Sequence, residues 1–250
     1  MELKEFFVQN PKAAIAFSGG VDSAYLLYAA VSCGADVKAY YVKSPFQPRF
    51  ELEDAKRLAL VLGAKMEIIP LNVLENEDVS SNPPERCYHC KRAIMTAIIS
   101  KAAEEGYTLL LDGSNASDDA FDRPGMRALG ELAVRSPLRE CGLTKSEIRR
   151  LSKEAGLFTH DKPAYACLAT RIPTGEVISK EKLEATEKAE EYLHSLGFEN
   201  FRVRLFHGCA RIQLRASDMA KAAAHFAEIN RELKKHYASV MLDMEARDEQ

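Results

Sequence analysis

Ser18-Gly19-Gly20-Val21-Asp22-Ser23 stands between a short apolar run, residues 13–17 (AAIAF), and an apolar, helix-favouring stretch from Asp22 to Cys33 that Gly34 can end. Strand, glycine turn, helix is the context in which such a turn acquires a meaning. Glycines let the backbone turn with its N–H groups exposed, and the helix N-terminus adds partial positive charge. Together they form a cradle for phosphate. Ser18 and Ser23 add hydroxyl donors, and Asp22 is a carboxylate of the kind that helps hold Mg²⁺ beside phosphates. The turn lacks the lysine of G-x-x-x-x-G-K-[ST] and the spacing of G-x-G-x-x-G, so neither a Walker A loop nor a dinucleotide fingerprint is present. A plain strand-to-helix turn is the competing reading of the two glycines.

Working outward, residues 37–42 read as a strand, 50–62 as a helix stopped by Gly63, and 65–69 as a second strand closed by Pro70. Residues 75–86 (ENEDVSSNPPER) read as a loop, 91–105 as a helix and 108–111 as a buried strand. This alternation predicts an α/β fold, a doubly wound parallel sheet with helices on both faces. Residues 113–126 form a long polar loop after a strand, where open α/β sheets place their sites. Thr144-Lys145-Ser146-Glu147 is a capping box whose helix ends near Gly156. Beyond residue 175 the pattern changes to helix 179–196, a hairpin of 201–205 with 210–214, helix 217–237 and strand 239–244, which resembles a split β-α-β unit. The expected domains are 1–175 and 176–250, the second a small α+β domain for substrate or for self-association.

Forty-six per cent apolar and 28% charged residues describe an ordinary globular chain of 250 residues. With 34 basic and 37 acidic residues the net charge is −3, so the chain as a whole has no electrostatic footprint for nucleic acid. No apolar stretch reaches 18 residues, so no transmembrane helix is expected. MELKEFFVQNPK has acidic residues and no apolar segment, so the expectation is no secretory signal and a cytoplasmic location. Six cysteines in such a chain do not predict a disulfide framework. Cys33, Cys141 and Cys209 read as small half-buried side chains. Cys87 and Cys90 form a C-x-x-C pair, the spacing of metal, iron–sulfur or redox ligands, placed after a proline-rich loop and before a helix.

SGGVDS after a strand resembles the pyrophosphate loop of the PP-loop ATP pyrophosphatases. This resemblance implies the adenine nucleotide α-hydrolase-like arrangement, adenylation of a substrate oxygen with release of pyrophosphate, and displacement of AMP by a nucleophile. TKSEIRRLSKEAGL and KPAYACL fit the second half of the same superfamily. More specifically, AYACLATRIPTG, residues 164–175, resembles the Pro-Cys-Leu-Ala-Ser-Arg-Ile-Pro segment of the LarE family of ATP-dependent sulfur transferases, with Ala166 for the proline and Thr170 for the serine. The resemblance covers nearly the whole chain. It implies a nicotinate-derived pyridinium mononucleotide as substrate, conversion of its carboxylates to thiocarboxylates on the way to a nickel-pincer cofactor, and Cys167 as the sulfur-bearing residue. Read by itself, Cys167 is a small buried hydrophobe. LarE-like proteins come with one sacrificed cysteine or with three that hold a [4Fe–4S] cluster. Cys87, Cys90 and Cys167 match the second kind, with zinc, joined by His89, or spectator thiols as the competing readings.

The remaining expectations follow the same resemblance. Val42 and Ser44, with Tyr41, end the second strand, where adenine packs in the superfamily. Gly113 and Asp118, with Asp112, Ser114 and Asn115, approach ATP. Arg123, Arg127 and Arg135 suit bidentate binding of phosphate or carboxylate. Arg171 and Lys162 either lower the pKa of Cys167 or hold a substrate phosphate. Arg204, Arg211 and Glu191 fall in the small domain, Arg204 as a substrate contact and Glu191 as a metal ligand. Expected cofactors are ATP, Mg²⁺ and the cluster, and the expected assembly is a homo-oligomer. A tRNA thiolase is one alternative, opposed by the acidic balance. An amidating synthetase of the GMP or NAD type is another, which has no use for the three cysteines. A nucleotide-binding module without activity is a third.

Overall fold

The computed structural model describes residues 2–118, 124–163 and 165–247. The chain forms two compact units, Met1–Val73 with Glu85–Ala164, and Leu74–Pro84 with Tyr165–Gln250.

The first unit runs α1 (Leu3–Gln9), β1 (Lys12–Ala16), α2 (Val21–Ser32), β2 (Asp36–Lys43), α3 (Arg49–Val61) and β3 (Lys65–Pro70). After α4 (Glu77–Ser80), which belongs to the second unit, it continues with α5 (Arg86–Glu104), β4 (Leu110–Leu111), α6 (Pro124–Glu131), α7 (Pro137–Glu140) and α8 (Lys145–Glu154). The strands pair in parallel in the order β3-β2-β1-β4. Ile15 sits opposite Ala39 on one side and Leu111 on the other. Strand side chains alternate between two cores. Ala13, Ile15, Phe17, Ala39 and Tyr41 pack with Leu26, Leu27, Ala55 and Leu58 of α2 and α3. Ala14, Tyr40 and Val42 pack on the other face with Met95 and Ile98 of α5 and Leu129 of α6. Burial on both faces explains the continuous apolar run of β1. The chain therefore adopts the doubly wound parallel α/β fold. Because β2 lies on one side of β1 and β4 on the other, the winding reverses between β1 and β4, and a crevice opens at their C-terminal ends.

Three boundaries differ from expectation. Helix α5 begins at Arg86, so Cys87 and Cys90 lie in its first turns rather than ahead of it. The expected loop 113–126 gives way to α6 at Pro124, because proline serves as a first helical residue. Helix α1 went unseen because seven residues are too few to show a period.

In the second unit, α9 (Lys180–Ser195) is followed by β5 (Arg202–Phe206), β6 (Cys209–Gln213), α10 (Met219–Ala224), α11 (Phe226–Leu233) and β7 (Val240–Leu242). The hairpin turn uses His207 and Gly208, both at positive φ, as a two-residue primed turn requires. The expected helix 217–237 is broken at His225. Strand β7 pairs in parallel directly with β6, with no strand between them, so the connection is not a split β-α-β. Asn82 anchors the segment 74–84 within this unit: its amide donates to the carbonyls of Ile172 at 3.3 Å and Pro173 at 2.7 Å. No helix among the described residues is long and apolar enough to cross a membrane.

Candidate active site

The crevice between β1 and β4 is a cavity of about 550 Å³. Its wall includes Ser18, Asp22 and Ser23 of the glycine loop, Tyr40 and Val42 of β2, Gly113 and Asp118 after β4, and Cys87 and Lys91 of α5.

The loop is shaped by its glycines. Gly19 has φ +74°, and a Cβ there would lie 3.1 Å from the Ala55 Cβ, so α3 and the backbone both demand glycine. Gly20 caps α2 in an extended conformation. Ser23 is buried and ties the turn together: its hydroxyl accepts from the Ser18 N–H at 3.3 Å, donates to the Gly20 carbonyl at 3.2 Å and sits 3.1 Å from the Ser18 hydroxyl. Ser18 itself is exposed. Val21 is buried in the core behind the turn. Asp22 receives the Lys145 ammonium at 2.5 Å on one oxygen and the Asn115 amide at 3.3 Å on the other.

Across the crevice, Gly113 meets the first turn of α2 so closely that a Cβ would lie 2.9 Å from the Ser23 nitrogen. Asp112, buried beside it, accepts from the hydroxyls of Ser114 and Ser136, each at 2.6 Å, and faces Lys91 at 3.7 Å. Asp118 accepts from the Asn115 N–H at 3.0 Å, and Arg139 holds the carbonyls of Asn115 and Asp118 at 3.2 and 2.7 Å. Ser44 is buried, its hydroxyl donating to Gln47 at 2.7 Å, so Gln47 rather than Ser44 faces the cavity. Lys145 and Arg139 were not read as site residues. Only the capping box marked Lys145, as the first residue of a helix.

Cys87 and Cys90, three residues apart on α5, lie on neighbouring sides of one helix turn, as a ligand pair requires. The Arg86 guanidinium approaches the Cys87 sulfur at 3.5 Å. Among the described residues no group of three or more His, Cys, Asp or Glu is gathered in a metal-holding arrangement. Arg127 forks onto both carboxylate oxygens of Glu85 at 3.3 Å and stacks 4.0 Å from the Tyr88 ring. Arg135 is paired with Glu140, and Lys162 with Asp54 at 2.6 Å. Arg123 lies outside the described residues.

In the second unit, half-buried Cys167 precedes the 3₁₀ turn Leu168–Arg171, its carbonyl accepting from the Thr170 hydroxyl at 2.8 Å. Arg171 is 1% exposed. Its guanidinium binds both oxygens of Glu190, at 2.8 and 3.0 Å, and the Ala166 carbonyl at 2.8 Å. Tyr165 donates to the same carboxylate, and Glu190 also accepts from the Val203 N–H at 2.9 Å. This corrects one expectation: Arg171 is not presented to a ligand but is a buried strut under the Cys167 segment. Its partner Glu190 was not read as a site residue, and Glu191, the expected metal ligand, is exposed. Arg204 donates to the Thr170 carbonyl at 2.6 Å and to Gln213 at 2.7 Å, and Arg211 pairs with Asp243 at 2.8 Å. Burial, then the neighbouring Arg171 and Arg247, push the Arg202 guanidinium down to about 10 and lower that of Arg204. Such a crowd of cations suits an anion.

No protein-family model matches the chain. Three similar proteins span most of its length. An uncharacterized protein of Synechocystis sp. is 39% identical over 85% of this chain and 80% of its own. The pyridinium-3,5-bisthiocarboxylic acid mononucleotide synthase of Lactiplantibacillus plantarum is 32% identical over 89% of this chain and 82% of its own. The chain belongs to the LarE family. An uncharacterized protein of Methanocaldococcus jannaschii is 31% identical over 97% of this chain. The tRNA-specific 2-thiouridylase of Thermotoga petrophila is more distant, 27% identical over 60% of this chain and 54% of its own. The LarE family placement and these PP-loop relatives make the chain an ATP-dependent sulfurtransferase.

Proposed function

We propose that this LarE family enzyme adenylates a carboxylate of a nicotinate-derived pyridinium mononucleotide and converts it to a thiocarboxylate for nickel-pincer cofactor synthesis. The observation that carries the reading is that the glycine loop and Cys87 line one cavity, so a nucleotide's phosphates and a sulfur-bearing side chain share a wall. A carboxylate is a poor electrophile. Attack of its oxygen on the α-phosphorus expels pyrophosphate and leaves an acyl adenylate. Addition of a sulfur nucleophile to the acyl carbon then forms the C–S bond as the C–O bond to AMP breaks. In this reading the loop Ser18, Gly19, Gly20, Val21, Asp22 and Ser23 seats the phosphates, Val42 and Gly113 shape the nucleotide pocket with Ser44 positioning Gln47 on its wall, and Asp118 would hold Mg²⁺ beside the phosphates. Arg123, Arg127 and Arg204 are assigned to the substrate's phosphate and carboxylates.

The donor set of Cys87 and Cys90 supplies two thiolates at cluster-ligand spacing, and Cys167 is assigned as the third ligand of a [4Fe–4S] cluster. Such a cluster supplies a site for carrying sulfur that is not lost from the protein. Anaerobically purified protein is expected to contain iron and sulfide near four of each per chain, and Cys87→Ser with Cys90→Ser is expected to remove both. Metal-free wild-type protein that transfers sulfur once per chain, at the expense of Cys167, would contradict the cluster. The second unit is proposed to bind substrate and to mediate self-association, in keeping with its exposed Phe206, Phe226, Leu242 and Met244. The tRNA thiolase reading has less support, since that relative covers less of the chain and the net charge is −3.

A further inference from the structure

We infer that Gln47, in the turn after β2, reads the adenine base by donating a hydrogen bond to one of its ring nitrogens. The inference rests on the reading of this cavity as an ATP site and names the residue in it that selects the base. The cavity wall has two kinds of lining. Ser18, Asp22 and Ser23 belong to the glycine loop and suit phosphates. Val42 packs with Ile94, Met95 and Ile98, and these four give the cavity an apolar side suited to a flat ring. Gln47 follows Val42 closely in the chain and is a polar side chain on the same wall.

The neighbours of Gln47 settle which way its amide points. The Ser44 backbone N–H aims at one side-chain atom of Gln47 at 3.0 Å, and because a backbone N–H can only donate, that atom is the oxygen, Oε1. The Ser44 hydroxyl accepts from the Phe46 N–H at 3.2 Å and so has its proton free to donate to the same Oε1, at 2.7 Å. Two donors fill the two lone pairs of Oε1. The amide nitrogen, Nε2, has no protein acceptor among the described residues. The turn itself is stiff. Pro45 and Pro48 fix φ on either side of the Phe46-Gln47 pair, and Pro48 caps α3. The Gln47 N–H donates to the Ser44 carbonyl at 3.3 Å, and the Gln47 carbonyl accepts from the Lys43 ammonium. A side chain held by its oxygen in a braced turn offers its N–H donors to the cavity it lines. Once a ring displaces water there, an unmet donor is costly, so the ring must bring an acceptor. Adenine brings ring nitrogens that only accept.

The test is calorimetric titration with AMP and its 1-deaza, 3-deaza and 7-deaza analogues, each of which replaces one ring nitrogen by C–H, with inorganic pyrophosphate as a ligand that has no base. Wild-type protein is expected to bind one of the three analogues about 10-fold more weakly than AMP. Gln47→Glu keeps the oxygen that Ser44 holds and turns the outward donor into an acceptor. It is expected to weaken AMP by about 10-fold, to bind the sensitive analogue no worse than AMP, and to keep wild-type pyrophosphate affinity and melting temperature. Gln47→Met, which removes the donor without adding charge, is expected to show the same loss of AMP and the same indifference to the analogue. Equal binding of AMP and all three analogues by wild-type protein would overturn the inference. So would an analogue penalty that persists in both variants, or loss of AMP and pyrophosphate together with a lowered melting temperature, which marks a structural prop. Wild-type protein that does not bind AMP at all would instead remove the ATP reading on which the inference rests.

Discussion

Arg171→Ala is expected to destabilise the second unit by about 3–5 kcal/mol, the usual cost of removing one partner from a buried ion pair. Arg171 is 1% exposed and Glu190 5% exposed. Without the guanidinium, Glu190 keeps a charge in a dry site with only the Tyr165 hydroxyl and the Val203 N–H to satisfy it. The Ala166 carbonyl loses its donor at the same time, and this carbonyl precedes Cys167. The change therefore links stability to function: the backbone that presents the thiol loosens as the unit weakens. Urea unfolding monitored by circular dichroism gives the loss directly. Arg171→Lys restores the charge but not the fork, and is expected to recover only part of it. A loss below about 1 kcal/mol for the alanine variant would mean that Glu190 finds water or another cation, and that the strut is not what holds the cysteine segment.

Gly113→Ala is expected to cut ATP use about 100-fold with the fold intact. The added Cβ would sit 2.9 Å from the Ser23 nitrogen and 3.1 Å from its Cα, closer than atoms at van der Waals contact, and both are backbone atoms of the helix that carries the loop. Either α2 or the end of β4 must move. A displacement of about 1 Å at a catalytic site costs on the order of 10²-fold in rate, so ATP–pyrophosphate exchange is expected to fall by about that factor. Gly142→Ala is a suitable control, since a Cβ there meets nothing within 4 Å although its φ of +72° adds local strain. Exchange at the wild-type rate in Gly113→Ala would show that the cavity is not where ATP reacts.

The alternation of strand and helix and the glycine loop were legible because each rests on local pattern: an apolar run buried on both faces, and a turn that needs glycine. The partners were not. Lys145 reaches Asp22 across 123 residues, and nothing in either segment names the other. Cys87 and Cys90 were placed ahead of α5, although prolines 83 and 84 already mark a helix beginning just after them. Glu190 was not read as a site residue, although Leu183, Thr186 and Leu193 set a buried stripe on α9 that takes in 190 and leaves 191 outside. Arg171 could not be distinguished from a ligand-facing arginine, because a buried strut and a phosphate clamp use the same side chain.

The most direct test of the proposed chemistry is product analysis after anaerobic turnover of the purified enzyme with ATP, the pyridinium biscarboxylate mononucleotide and added sulfide. The expected result is a product in which sulfur replaces a carboxylate oxygen, with AMP and pyrophosphate formed in equal amounts, and a polypeptide of unchanged mass after several turnovers. Release of ADP and phosphate, or consumption of ATP with no sulfur in the product, would contradict the account.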